Sequence, residues 1–221
     1  MRKIALVLLC AYVFTVPWDV VVLPGIGTIS RFIGLLAIAA GLLTTLTGAR
    51  FRNPNAIVWF AGAFAAAAVL SLFWTISYDV TVERVWSYAQ LFASVWLLQE
   101  IARDRKQIRL LLIAWCVGGF VPLASLFMNF AGNRSMGADR FTSEGAVYLN
   151  ANDMGLTLVL GLPVAWYLLR DPGRWVRVVA AIYLAVAPLA VLLTASRGSF
   201  LAGLVALAII PLTMRGFSLR L

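Results

Sequence analysis

The chain has 221 residues, 62% of them hydrophobic and 12% charged, with a mean hydropathy of +0.93; a soluble domain is about half apolar and a quarter charged. Its formal charge of +9 would suggest nucleic acid in a soluble protein. Here no polar domain exists to carry such binding, so nucleic acid is excluded as a partner and the basic residues are read as the flanks of membrane helices.

In lipid the structural unit is a helix of roughly 20 residues, so this length allows about eight spans and no separate extramembrane domain. Backbone groups in hydrocarbon must bond within the segment, which leaves helices or a closed barrel. Barrel strands alternate apolar and polar residues, and runs such as Phe60 to Phe73 do not. The expected fold is therefore all-α: a polytopic transmembrane helix bundle of about eight spans in a single transmembrane domain over 1–221.

Taken in order, the predicted spans are Ile4–Val22, Arg31–Thr47, Ala56–Ile76, Val80–Ala102, Ile108–Ala131, Asn152–Leu169, Arg177–Thr194 and Gly198–Met214. The first follows Arg2 and Lys3 as a signal peptide would. However, Pro17, Trp18 and Asp19 offer no small-residue cleavage site, so it reads as an uncleaved helix. Pro17, Pro122, Pro163 and Pro188 lie within spans and predict kinks, because each frees a backbone carbonyl. Trp18, Trp59, Trp74, Trp86 and Trp175 fall near span ends, as interfacial anchors do. The run Gly62, Ala63 and Ala65 to Ala68 suits close helix packing. Cys10 and Cys116 lie inside apolar runs and read as small buried hydrophobes.

Basic residues set the orientation. With the N-terminus in the cytoplasm, Arg2, Lys3, Arg50, Arg52, Arg103, Arg105, Lys106, Arg109, Arg170, Arg174, Arg177, Arg215 and Arg220 lie inside. Only Arg31, Arg84, Arg134, Arg140 and Arg197 lie outside. Asp19, Asp79, Glu83, Asp139, Glu144 and Asp153 share that outer side. Thirteen basic residues against five support eight spans with both termini cytoplasmic.

The chain has no histidine, which removes His-based zinc sites and any His base supplied by these residues. No phosphate-binding glycine pattern and no Asp-x-Asp pair occurs. Two outer features remain. The loop from Gly132 to Asp153 is longer than the two to eight residues usual between bundle helices, and holds Arg140, Glu144, Asn150, Asn152 and Asp153. The segment Thr194-Ala195-Ser196-Arg197-Gly198-Ser199 joins two apolar spans with almost no loop. A charge at that depth is costly and tends to face a cavity and carry function. Guanidinium groups bind phosphate and pyrophosphate bidentately and stay charged. Ser196, Ser199, Asn150 and Asn152 add neutral donors. The outer side therefore suits a lipid-linked phosphate or an anionic glycan.

The stretch Arg140-Phe141-Thr142-Ser143-Glu144-Gly145, then Tyr148-Leu149-Asn150-Ala151-Asn152-Asp153-Met154-Gly155, resembles the O-antigen ligase and O-antigen polymerase family. So does Leu192-Leu193-Thr194-Ala195-Ser196-Arg197-Gly198-Ser199-Phe200-Leu201. The motif-bearing region is about 132–214. The resemblance implies a multi-pass glycosyltransferase of the bacterial inner membrane. It would take a glycan from undecaprenyl pyrophosphate on the periplasmic side and pass it to a glycan or lipid acceptor. No metal and no cofactor are implied. Arg197, with Arg140 and Ser196, would hold the donor pyrophosphate, and Arg197 would stabilise the charge growing on the leaving group. Asn150, Asn152, Asp153 and Glu144 would line the site. Family members continue into a further periplasmic loop with another arginine and, in ligases, a histidine. This chain stops at Leu221, so it is expected to be either a fragment or a shorter relative using another base, for which Glu144, Asp153 and Asp79 are the outer carboxylates.

Two further readings fit the same residues. The outer arginines would line the entry of a transporter for an anionic solute or lipid, or the chain would be a non-catalytic subunit of a glycan-assembly complex.

Overall fold

The computed structural model describes residues 2–19, 22–23, 27–48, 51–133, 141 and 150–214. Among them the fold is all-helical: α1 (Arg2–Thr15), α2 (Ile29–Gly48), α3 (Ala56–Leu70), α4 (Tyr78–Ile101), α5 (Arg105–Gly118), α6 (Phe120–Ala131), α7 (Ala151–Leu168), α8 (Arg174–Leu193) and α9 (Arg197–Met214). The β pairing among the described residues is a two-residue antiparallel ladder, Val22–Leu23 (β1) against Gly27–Thr28 (β2). Among the described residues four stretches are long and apolar enough to cross a membrane: Ile29–Gly48, Ala56–Phe73, Arg105–Ala131 and Arg174–Leu193. Almost none of Ala56–Phe73 is buried within the protein, and Phe60 and Trp59 stand exposed on it. So much apolar area finds a low-energy surrounding in lipid, not in water.

The predicted spans Ile4–Val22, Val80–Ala102, Asn152–Leu169 and Gly198–Met214 are not among these four, the third predicted span is α-helical only to Leu70 before a 3-10 turn to Phe73, and the first and fifth are interrupted at prolines. The first ends as an α-helix at Thr15 rather than at Val22, passing into a single 3-10 turn over Val16–Trp18. Pro17 is the cause: it has no N–H for the carbonyl four residues back and its ring collides there. The fifth is two helices, parted at Gly119. Pro122 in the first turn of α6 leaves the Gly118 carbonyl without a helical donor, and the break falls beside it.

The chain divides into two compact units. The first comprises 1–9 and 33–108. Within it the α2–α3 connection is tied to the end of α4. The Arg52 N–H donates to Glu100 Oε1 at 2.8 Å, and the Asn55 N–H donates to Gln99 Oε1 at 2.9 Å. Asn55 then caps α3, its side chain accepting the Val58 N–H at 3.0 Å. Glu100 is buried and also accepts from Arg103, one turn away, at 3.2 Å.

The second unit comprises 10–32 and 109–221 and holds the larger core. Met154, Leu158, Leu162 and Ala165 form one buried stripe along α7, at the three- and four-residue spacing of a helix face. Ala180, Tyr183, Ala187 and Ala190 form the matching stripe on α8. Tyr183 is the one large side chain among these alanines, and Gly161 makes room for it. A Cβ at 161 would lie 2.2 Å from the tyrosine hydroxyl. The hydroxyl donates to the Leu158 carbonyl at 3.1 Å, so the buried polar atom is satisfied. Phe120 meets the same ring edge-on at 5.5 Å, which docks α6.

The far side of this unit is latched by charge. Arg109 at the start of α5 makes a bidentate pair with Asp171 in the α7–α8 connection, through Nε and through Nη2 at 2.8 Å. Asp171 Oδ1 also accepts the Gly173 N–H at 2.7 Å.

Candidate functional site

Asn150 opens α7. Its side chain accepts the Asn152 N–H at 3.2 Å, satisfying one of the free donors of the first turn. Ser196 does the same for α9: its buried Oγ accepts the Ser199 N–H at 3.2 Å. The chain reaches that cap from α8 in two residues. Thr194 ends the helix and turns its hydroxyl back to the Val191 carbonyl at 2.7 Å. Ala195 then takes a left-handed conformation, φ 47°, and donates to the Leu192 carbonyl at 3.0 Å. Glycine is the usual residue there; an alanine holds it at a cost of about 1 kcal/mol.

The two motifs meet through these caps. Ser199 is fully buried, shares a 2.9 Å bond with Ser196 Oγ, and donates to the Asn152 carbonyl at 3.0 Å. Gly155, one turn into α7, allows this approach: a Cβ there would lie 2.5 Å from Ser199 Oγ and 3.1 Å from Thr194 Oγ1. One turn further, a Cβ at Gly203 would sit 3.4 Å from Val159. Contacts advancing in the same direction on both chains mean that α7 and α9 run parallel, with α8 antiparallel between them in sequence. Both N-termini therefore open at one end, where their unsatisfied N–H groups concentrate partial positive charge.

Arg197 is the first residue of α9. It is exposed and makes no ion pair or hydrogen bond among the described residues. It borders an open groove of about 300 Å³ with Val191, Leu192, Ala195, Ser196 and Phe200. Val191, Leu192 and Phe200 also line a second, apolar hollow of about 100 Å³ between α7, α8 and α9, reaching Leu204 and Leu207. The two hollows share Val191, Leu192 and Phe200 as lining, and Arg197 and Ser196 border only the first.

Of the residues singled out in the sequence, the fold brings Ser196, Arg197, Asn150, Asn152 and Asp153 to this one end. Their duties differ from the simple picture of donors aimed at a ligand. Ser196 and Asn150 spend their side-chain oxygens on caps, and Asn152 contributes its backbone carbonyl while its side chain stays exposed. Asp153 is exposed on the first turn of α7. Arg140 and Glu144 lie outside the described residues, as do Arg134 and Asp139. Between them Phe141 is described: its N–H donates to the Leu193 carbonyl at 3.2 Å, and its ring packs edge-on to Phe130 at 5.2 Å. Asp79 opens α4 in the other unit. Sequence reasoning missed Gly155 and Thr194 as joint-makers; a glycine in the first turns of an apolar helix was the available signal. Among the described residues no three His, Cys, Asp or Glu side chains stand together as a metal site needs.

Fold and site define an all-helical protein built around apolar helices of membrane-spanning length, with an arginine that has no ion pair among the described residues where two helix N-termini converge. No family model, curated protein or solved structure matches the chain.

Proposed function

We propose that the chain is a membrane glycosyltransferase of the O-antigen ligase or polymerase type, acting in surface-polysaccharide synthesis. It would be a multi-pass protein of the bacterial inner membrane, with eight spans and both termini in the cytoplasm. The substrates are an undecaprenyl-pyrophosphate-linked glycan and a glycan or lipid acceptor, with no cofactor.

The observation that carries this reading is the joint between the two motifs. The Asn152 carbonyl and Gly155 of one meet Ser199 of the other, and Arg197, without an ion-pair partner among the described residues, borders a largely apolar groove there. A polyprenyl pyrophosphate has the matching chemistry, an anionic head on a hydrocarbon chain. In the transfer, the bond between the anomeric carbon and the pyrophosphate oxygen breaks while the acceptor oxygen bonds that carbon. The electron pair leaves with the pyrophosphate, and the acceptor hydroxyl's proton passes to a carboxylate base, for which Glu144 and Asp153 of the motif region are the candidates. Arg197 holds that head and stabilises its added charge, and the N-termini of α7 and α9 add fixed partial charge of the same sign. Ser196 shapes the turn that aims Arg197, and Arg140 is the second guanidinium proposed for the head.

Native mass spectrometry of the detergent-solubilised chain with undecaprenyl pyrophosphate tests the reading. The chain is expected to retain the lipid and Arg197→Ala to lose it, with unchanged thermal melting. Equal retention by a well-folded Arg197→Ala protein removes Arg197 from the donor site. Solute flux in proteoliposomes without glycan transfer would favour a transporter instead.

A further inference from the structure

The turn between α7 and α8, at the opposite end of these helices from Arg197, carries four charged groups on its near flanks and a fifth from α5. Asp171 is its one carboxylate, and it is consumed within the protein. Its side chain is 4% exposed and is held by Arg109 and the Gly173 N–H. The exposed groups are then all cationic: Arg170, Arg174 and Arg177. None of the three stands within ion-pair distance of a carboxylate among the described residues. Arg174 and Arg177 lie one turn apart and share a face of α8.

Their position is unfavourable for α8 on its own. A helix N-terminus is the positive end of the backbone dipole, and acidic residues are the ones that suit it. The first turn of α8 has no acid, and Gly173 provides no side-chain cap. Trp175 stands 80% exposed between the two arginines in sequence, and Arg170 stacks over Trp166 with its guanidinium carbon 6.0 Å from the ring centre. Exposed tryptophan at the end of an apolar helix is an interfacial anchor, so this turn stands at the level of the lipid headgroups.

We infer that the α7–α8 turn binds the phosphodiester headgroup of an anionic phospholipid, held by Arg170, Arg174 and Arg177 beside Trp175. The Arg109–Asp171 latch takes part indirectly: Asp171 spends its hydrogen bonds on Arg109 and the Gly173 N–H and forms no ion pair with those arginines, although its charge is felt at Arg177. The site is distinct from the Arg197 groove and does not depend on the reading of that groove.

The full-length chain in detergent, titrated with dioleoyl phosphatidylglycerol or dioleoyl phosphatidylcholine, tests this by native mass spectrometry. The phosphatidylglycerol is expected to be retained in preference. Replacing all three arginines by glutamine should weaken retention by about a hundredfold, roughly fivefold for each charge near a membrane surface. A charge-matched variant, Arg2→Gln, Lys3→Gln and Arg105→Gln, should retain the lipid. Arg174→Gln alone, with a loss of roughly fivefold, keeps the test readable if the triple variant does not fold. Equal losses in the charge-matched variant would reduce the effect to overall charge and overturn the inference. So would equal retention of the two lipids, or displacement of phosphatidylglycerol by inorganic phosphate at similar concentration.

Discussion

Gly155→Ala adds a single methyl group at the joint between α7 and α9. The new carbon would stand 2.5 Å from Ser199 Oγ and 2.6 Å from Ser199 Cβ, against an ordinary contact of 3.4–4 Å. Ser199 has no room to yield: it is fully buried, and its hydroxyl is held by Ser196 and Asn152. The helices must therefore part by roughly 1 Å, which strains the packing by about 1–3 kcal/mol. Stretching the Ser199–Asn152 bond adds about 1 kcal/mol, and the better helix propensity of alanine returns about as much. A net loss of about 1–3 kcal/mol corresponds to a melting temperature lower by roughly 2–12 °C for a chain of this size. Thermal melting in detergent reads it directly, with Gly198→Ala as the comparison. Position 198 has no heavy atom within 4 Å of an added Cβ, so that change is expected to be neutral or slightly stabilising. Ser199→Gly removes both crowding atoms, so the double variant Gly155→Ala/Ser199→Gly should be more stable than the sum of its single changes predicts. Unchanged melting of Gly155→Ala, or strict additivity in the cycle, would refute the packing argument.

Ala195→Gly relieves the left-handed strain at the α8–α9 turn and should raise stability by about 1 kcal/mol in the same melting assay. Tyr183→Phe keeps the ring in the space left by Gly161 and loses the bond to the Leu158 carbonyl, a cost of about 1 kcal/mol. The Asp171 carboxyl is held below its ordinary pKa, first by its hydrogen bond from Arg109 and also by the Gly173 N–H. A depressed carboxylate stabilises the fold above its unfolded pKa of about 3.9 and loses that contribution as pH falls through the lower, folded value. The protection of the Gly173 amide against hydrogen exchange, relative to the intrinsic rate at each pH, should therefore fall below about pH 4, and Asp171→Asn should lower it at neutral pH and remove its further fall in acid.

The helices were legible because apolar runs of span length leave few alternatives: each of the eight runs holds a helix or a pair of helices, although only four stretches among the described residues are long and apolar enough to cross a membrane. The boundaries failed where proline acts through its neighbours. Pro17 ended α1 at Thr15, and Pro122 parted α5 from α6 at Gly119, three residues earlier in the chain. Chemistry-bearing residues were legible as types, Arg197 above all, because a charge between two apolar spans stands out. Their partnerships were not. That Ser196 and Asn150 would cap helices, or that Ser199 would reach the Asn152 carbonyl, depends on α7 and α9 lying parallel in contact, and no periodicity in either helix specifies its neighbour. The same holds for Tyr183 and Gly161, which read as an ordinary apolar position and a tolerated glycine until the two stripes face each other.

The parallel pairing of α7 and α9 also bears on how the protein is made. The side-chain tie that closes the site, from Ser199 to Asn152, spans 47 residues, and everything between is the single antiparallel excursion through α8. Closing so short a loop costs little chain entropy. The joint beside Arg197 can therefore assemble as soon as α9 leaves the ribosome and joins its two predecessors, a local event in synthesis.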